Sequence, residues 1–266
     1  RSAGFYGCAS RGAAPVIVAA DFTGFPMGLQ AVAGAENGAG WTAPGGVPRV
    51  RGDVLLLSGM SGSPAGILDS NPKAASATRH IDQCIGLKQN DLVVATNCAR
   101  STIMRVTNHP ENGGCPPGPG GNEVTDANHI DHPDFRLDPP YLKSSRAILF
   151  KFGAFAYFIG QNPAGNPALY RTSSDPNGND PTEEVVDNIE DLDLLFGEDT
   201  DGDGSANAYR NAAQVVDWSN VLSVRITLIA VSPDSGATNR PQNYYFGADD
   251  GGTAVAWNTK NDLRLR

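Results

Sequence analysis

The chain has 266 residues, a formal net charge of -9 and only 18% charged side chains. Gly (31) and Pro (19) are in excess, which points to many turns joining short strands. The acidic balance argues against nucleic acid as a partner, and no apolar run reaches the ~18 residues that a membrane-spanning helix needs.

Along the chain, short apolar runs alternate with turn-rich stretches. Pro15–Ala19 and Val54–Leu57 have the length and composition of buried strands. Asp91–Ala95 and Ser101–Thr107 flank Asn97-Cys98-Ala99 and predict a hairpin. Residues 108–140 contain Cys115-Pro116-Pro117-Gly118-Pro119-Gly120-Gly121, which neither a helix nor a central strand accepts, so a long Pro/Gly-rich surface loop is expected. Ala147–Ile159 predicts one or two strongly apolar strands with a kink at Gly153. Asn162–Pro167 is a turn, and Ala168–Arg171 restarts a strand. Thr182–Ile189 predicts one or two helical turns, with Thr182 as cap and Glu183 and Glu184 in the first turn. Leu192, Leu194 and Phe196 alternate with Asp193 and Leu195 as in a half-buried strand. Val221–Val231 is the clearest strand, with Leu222, Val224, Ile226 and Leu228 on one side and Ser223, Arg225 and Thr227 on the other.

The four cysteines, Cys8, Cys84, Cys98 and Cys115, show no C-x-x-C spacing. An even number fits an oxidising compartment. Three connectivities are open, with Cys84–Cys98 favoured if those residues lie on neighbouring strands. Four buried free thiols are the alternative.

Chemistry-bearing residues concentrate in residues 172–209, where no Lys or Arg occurs between Thr172 and Tyr209. Asp199, Asp201 and Asp203 occupy positions 1, 3 and 5 of a loop, and Gly204 stands at position 6. The Ser205 carbonyl would be position 7 and Asn207 position 9. That alternation lets side chains converge on a hard cation, as at the start of an EF-hand loop, and predicts calcium. Position 12 is Arg210 instead of the bidentate Glu, so the remaining ligands would come from elsewhere in the fold. Without a cation, mutual repulsion is expected to raise the three carboxyl pKa values. The plain alternative is a solvated acidic turn.

Other constellations fall short. His129-Ile130-Asp131-His132 lacks the H-E-x-x-H spacing. Gly59-Met60-Ser61-Gly62-Ser63 fails the G-x-S-x-G pattern at its last position. Arg51-Gly52-Asp53 reads as turn chemistry before a strand. No nucleophile, base and orienter assemble, so no catalytic residue is assigned and a non-enzyme is expected.

Several segments together resemble the PilW-type minor pilins of type IV pili, which are related to the GspJ-type minor pseudopilins of type II secretion. Ser2-Ala3-Gly4-Phe5-Tyr6-Gly7-Cys8 resembles the end of that family's long N-terminal helix. Asp91–Cys98 and Ile103–Thr107 resemble its first sheet strands. Ala156-Tyr157-Phe158-Ile159 with Pro167–Arg171 resembles its "YYI…xPxLYR" block. The most specific segment runs from Glu183 to Leu228. It includes Ile189–Leu192, Phe196–Gly204 and Trp218–Leu228, and is similar to "LVEGVEDLQLLYGxDTDGDG…DWxxVxxVRxxLL".

The resemblance implies an α+β, β-rich fold, a pilin-like antiparallel sheet head forming one domain over residues 1–266. Residues 1–7 would be the end of the helix, the rest of which would lie outside this sequence, and the C-terminus is expected to be trimmed. It implies a structural subunit that primes pilus assembly with other minor pilins and sits at or near the tip. The membrane anchor would be the missing helix. The location would be the inner membrane and periplasm before assembly, then the cell-surface pilus of a Gram-negative bacterium. The competing reading is a secreted calcium-binding β-domain acting as an adhesin or carbohydrate-binding module. Tyr6, Tyr209, Trp218, Tyr244, Tyr245 and Trp257 could then form a sugar platform, although buried core aromatics are the preferred reading. An extracellular hydrolase would need a carboxylate pair in a cleft, for which the sequence argues no geometry.

Overall fold

The computed structural model describes residues 16–18, 31–43, 46–67, 78–80, 87–97, 101–106, 123–125, 147–174, 181–234, 243–245 and 254–256. All four cysteines lie outside these residues, as do His129–His132 and nearly all of the 108–140 stretch. The described chain is β-rich and mainly antiparallel. Its helical segments are three short 3₁₀ turns, at Glu36–Gly38, Ala212–Gln214 and Trp218–Asn220. The strands in chain order are β1 (Val16–Val18), β2 (Val32–Ala35), β3 (Arg49–Ile67), β4 (Thr78–His80), β5 (Leu92–Thr96), β6 (Ser101–Arg105), β7 (Glu123–Thr125), β8 (Ile148–Gln161), β9 (Pro167–Ser174), β10 (Thr182–Asp187), β11 (Ile189–Glu198), β12 (Ala208–Arg210), β13 (Val221–Ala230), β14 (Asn243–Tyr245) and β15 (Ala254–Ala256). The contacts divide the chain into two compact units, to both of which β3 and β8 contribute residues.

In the first unit, β5 and β6 form the expected antiparallel pair, and β5 pairs on its other side with the start of β8. Leu92, Val93, Val94 and Ala95 are all buried, so β5 reads as a continuous apolar run instead of an alternation. The Asp91 carboxylate meets the Lys151 ammonium at 2.7 Å. β8 is one unbroken strand of 14 residues. It runs through Gly153 without a break in the strand.

The second unit holds the candidate site. Here β2 pairs with β3, β8 turns through Asn162–Asn166 into β9, and β10 pairs with β9. Thr182–Asp187 is thus a strand and not the expected helical turns. The Thr182 and Thr172 hydroxyls bond at 3.0 Å, the Arg171 guanidinium pairs with Glu183, and Tyr170 donates to Glu184. These cross-strand contacts outweigh the local capping signals.

A separate sheet has the order β12-β11-β13. Leu192, Leu194 and Phe196 of β11 sit opposite Leu228, Ile226 and Val224 of β13, and opposed residues share a face. On that face the β11 side chains enter a core with Leu55, Ile159, Ile189 and Val221. Ile226 and Leu228 continue the same apolar face but remain 53% and 45% exposed. Phe196 is fully buried, meets Trp218 edge-on at 4.8 Å between centroids, and lies against the backbone of Gly34, where a larger side chain would collide with its ring.

A buried polar group ties β11 to β3. Asp53 is 3% exposed; its Oδ1 accepts from the Asn37 amide at 2.8 Å and its Oδ2 from the Leu194 amide at 2.9 Å. Arg51-Gly52-Asp53 therefore belongs to strand β3 and not to a turn, and its aspartate faces the interior. Gly52 takes φ +74°, and a Cβ there would fall 2.6 Å from Asp191 Oδ1 and 2.8 Å from the Leu192 carbonyl. Glycine is what allows β3 to approach β11 this closely.

Phe196→Ala removes the ring from this packed core and should cost about 3–5 kcal/mol. Urea unfolding monitored through Trp218 fluorescence checks it: the midpoint should fall with little change in slope.

Candidate metal centre

The loop between β11 and β12 is closed by the backbone before any side chain acts. Glu198 pairs with Ala208 across the hairpin, and the Asn207 amide donates to the Glu198 carbonyl at 3.0 Å. Gly202 and Gly204 have φ of +82° and +90°, so both of the sharp reversals fall on residues without a Cβ. The sequence signal of Gly204 at the turn is met.

Within the loop, carboxylate oxygens of Asp199, Asp201 and Asp203 all lie within 4.8 Å of one another. Asp199 is buried at the base, and the other two are exposed. The Asp199 carboxylate accepts the Gly202 amide at 2.6 Å and the Gly204 amide at 3.0 Å. Asp201 accepts the Asp203 amide at 3.3 Å, and Asp203 accepts the Ser205 amide at 2.7 Å. Asn207 accepts the Thr200 amide through Oδ1 at 3.0 Å and donates to Asp201 Oδ2 at 3.3 Å. The structure thus brings together the three aspartates and Asn207, with Ser205 in the same turn. A triad of carboxylates with carbonyl and amide oxygens beside it is the hard-oxygen donor set that suits calcium.

The expected rise in carboxyl pKa does not hold for Asp199. Burial pushes it up, but the amides of Gly202 and Gly204, with further hydrogen bonds from Asp201, outweigh that and hold it below its ordinary value of 3.8. Backbone dipoles supply the positive potential that sequence alone assigns to a cation.

Sequence reasoning missed the groups that hold the loop to the sheet. Glu198 is 3% exposed; its Oε1 accepts the Asp217 amide at 3.1 Å, and its Oε2 lies 3.3 Å from Arg210 Nε. Arg210, at the position a bidentate Glu fills in an EF-hand, instead neutralises the residue before the loop. The Asp199 amide donates to the Asn220 carbonyl at 2.9 Å. Asn220 ends the 3₁₀ turn that Asp217 caps by accepting the Ser219 amide and hydroxyl; these two bonds lower the Asp217 pKa. The visible signal was Asp-x-Ser ahead of β13. Of the aromatics named for the alternative sugar platform, Trp218 packs on the core, as the preferred reading has it. Tyr209 lies under Arg225 at 4.5 Å and shares a hydrogen bond with Ser223.

With this geometry in place, a family model described as Type IV Pilus-assembly protein W (PilW) matches residues 156–264. Residues 156–264 are similar to the PilW family. The matched span is less than half of the chain. It runs from β8 through β15 and contains the aspartate loop with both flanking strands. No curated protein and no solved structure matches the chain. The match supports a PilW-type relationship for this part of the chain.

Because the folded Asp199 pKa is depressed, its contribution to loop stability is present above the ordinary carboxyl value and is lost as pH falls through the folded one. Hydrogen exchange of the Gly202 and Gly204 amides should show protection that disappears on strong acidification. In Asp199→Ala that protection should be absent at every pH.

Proposed function

We propose that the chain is a PilW-type structural subunit acting in type IV pilus assembly, and that its Asp199–Asn207 loop binds calcium. The observation that carries this reading is a coincidence of two features in one segment. The span similar to the PilW family contains the convergence of Asp199, Asp201 and Asp203 at the end of β11. In this reading the protein works by assembly and not by catalysis. It joins other pilus subunits in the bacterial envelope, helps to prime the filament and ends at or near its tip. The described residues contain no helix long and apolar enough to cross a membrane; in this reading the anchor would be the N-terminal helix that the PilW resemblance implies.

Calcium would occupy the space between the three carboxylates, with the Ser205 carbonyl and Asn207 completing its shell. Loading would offset most of the negative charge of this acidic turn. It would also fix the β11–β12 hairpin to the Trp218–Asn220 turn through the Asp199–Asn220 bond. A ligand bound only to the folded state at 100 times its Kd adds about 2.7 kcal/mol.

Two measurements test the two parts. Deleting the gene in the source bacterium should abolish or sharply reduce surface pili, with recovery on complementation; full piliation in the deletion strain contradicts the assembly role. Calcium at about 10⁻³ M should raise the melting temperature of the wild-type chain and leave Asp201→Asn/Asp203→Asn nearly unmoved. An equal shift in both would place the ion elsewhere.

A further inference from the structure

A second acidic cluster, separate from the aspartate loop, sits where the Glu36–Gly38 turn and β3 meet β11. The groups facing one another there are Glu36 from the turn, Arg49, Arg51 and Asp53 from β3, and Glu190, Asp191 and Asp193 from β11. From the Ala212–Gln214 turn the cluster receives the Ala212 amide, which donates to Glu36. The positive charges are partly committed. Arg49 donates to the Gly52 carbonyl at 2.9 Å, and Arg51 lies 3.9 Å from Glu190. Two oxygens are left enclosed: Glu36 Oε2 and Asp193 Oδ2 are buried atoms with no hydrogen-bond partner among the described residues. Between them, buried Asp53 holds the Asn37 amide with one oxygen and the Leu194 amide with the other. The joint thus concentrates acceptors and negative charge where a donor is missing.

We propose that Glu36, Asp53 and Asp193 form a proton-operated latch that closes the Glu36–Gly38 turn and β3 onto β11 under acidic conditions and loosens it as the medium becomes more alkaline. A proton taken from solvent onto Glu36 or Asp193 turns an unsatisfied buried acceptor into an O–H donor and removes one negative charge from beside Asp53. Losing that proton restores both penalties. The Asp53 bridge to Leu194 is the contact that has to yield, because it is a hydrogen bond that joins β3 directly to β11.

The titration of these groups runs in the same direction. Burial raises the Glu36 carboxyl, Asp53 and Asp193 raise it further, and the Ala212 amide opposes them. Burial raises Asp53 against the amides of Asn37 and Leu194 and against Arg49. Burial also raises Asp193, with Asp53 and Asp191 adding to it. Asp191 is raised by burial, opposed by the Leu192 amide and Arg51, with Asp53 and Glu190 adding. A carboxyl whose folded pKa is raised contributes stability below its ordinary value, and that stability is lost as pH climbs through the raised one.

Hydrogen exchange of the whole chain tests the latch, reading the Asn37 and Leu194 amides against those of the β5–β6 pair. After division by intrinsic rates, protection of Asn37 and Leu194 should fall by about tenfold for each unit by which the controlling carboxyl is raised. The fall should lie in the range above the ordinary carboxyl values, 4.5 for Glu36 and 3.8 for Asp193, and be complete once pH has passed the raised ones, while the β5–β6 amides stay level. Glu36→Gln/Asp193→Asn should keep high protection across that range. A flat profile for the two amides in the wild-type chain overturns the proposal. So does a folded double variant with the wild-type slope. The wild-type series decides alone if the double variant does not fold.

Discussion

The Asp53 carboxylate does for β11 what a neighbouring strand would otherwise do. On one side β11 is paired along its length with β13; on the other, β12 reaches only Phe196–Glu198. The remaining open edge must have its amides satisfied, since an unmet buried N–H costs about 1–3 kcal/mol. Asp53 meets the Leu194 amide across 141 residues of sequence, and Asp191 meets the Leu192 amide locally. Gly52 makes the approach sterically possible. Once β11 is placed in this way, Leu192, Leu194 and Phe196 enter the core, and the strand's last residue, Glu198, delivers Asp199 to the mouth of the aspartate loop.

Charge is distributed unequally along this one strand. At its start, carboxylates are packed where burial and like charge favour the protonated form. Just past its end, Asp199 lies among backbone amides that favour the ionised form. The two ends respond to pH with opposite sign, so stability of this unit is expected to be greatest between the two titrations. The acidic residues from Glu190 to Asp203 thus sit in two different physical environments that composition merges into one.

Features encoded within a short segment were legible. β13 announces itself by period-two alternation, and the aspartate loop by D-x-D-G-D-G with its carboxylates a few residues apart. What depended on distant partners was not. Thr182–Asp187 has a good capping residue and acidic first-turn residues, yet its register with β9 decides its structure. Arg51-Gly52-Asp53 looked like turn chemistry because the Leu194 amide that Asp53 serves is far away in sequence. The pKa direction of Asp199 was missed for a related reason: aspartates repel on paper, while the amides of Gly202 and Gly204 that reverse the outcome appear only once the loop is folded. The exposure of Ile226 and Leu228 was also hidden, since alternation says which residues share a face but not how far the opposing layer extends.

The most direct measurement on the central claim is a calcium titration of the isotopically labelled chain, followed by backbone amide chemical shifts. The account predicts saturable changes at Thr200, Gly202, Gly204, Ser205 and Asn207, carried through the Asp199–Asn220 bond to the Trp218–Asn220 turn. Shifts confined to other parts of the chain, or no saturable change at millimolar calcium (about 10⁻³ M, where weak extracellular sites fill), would contradict it.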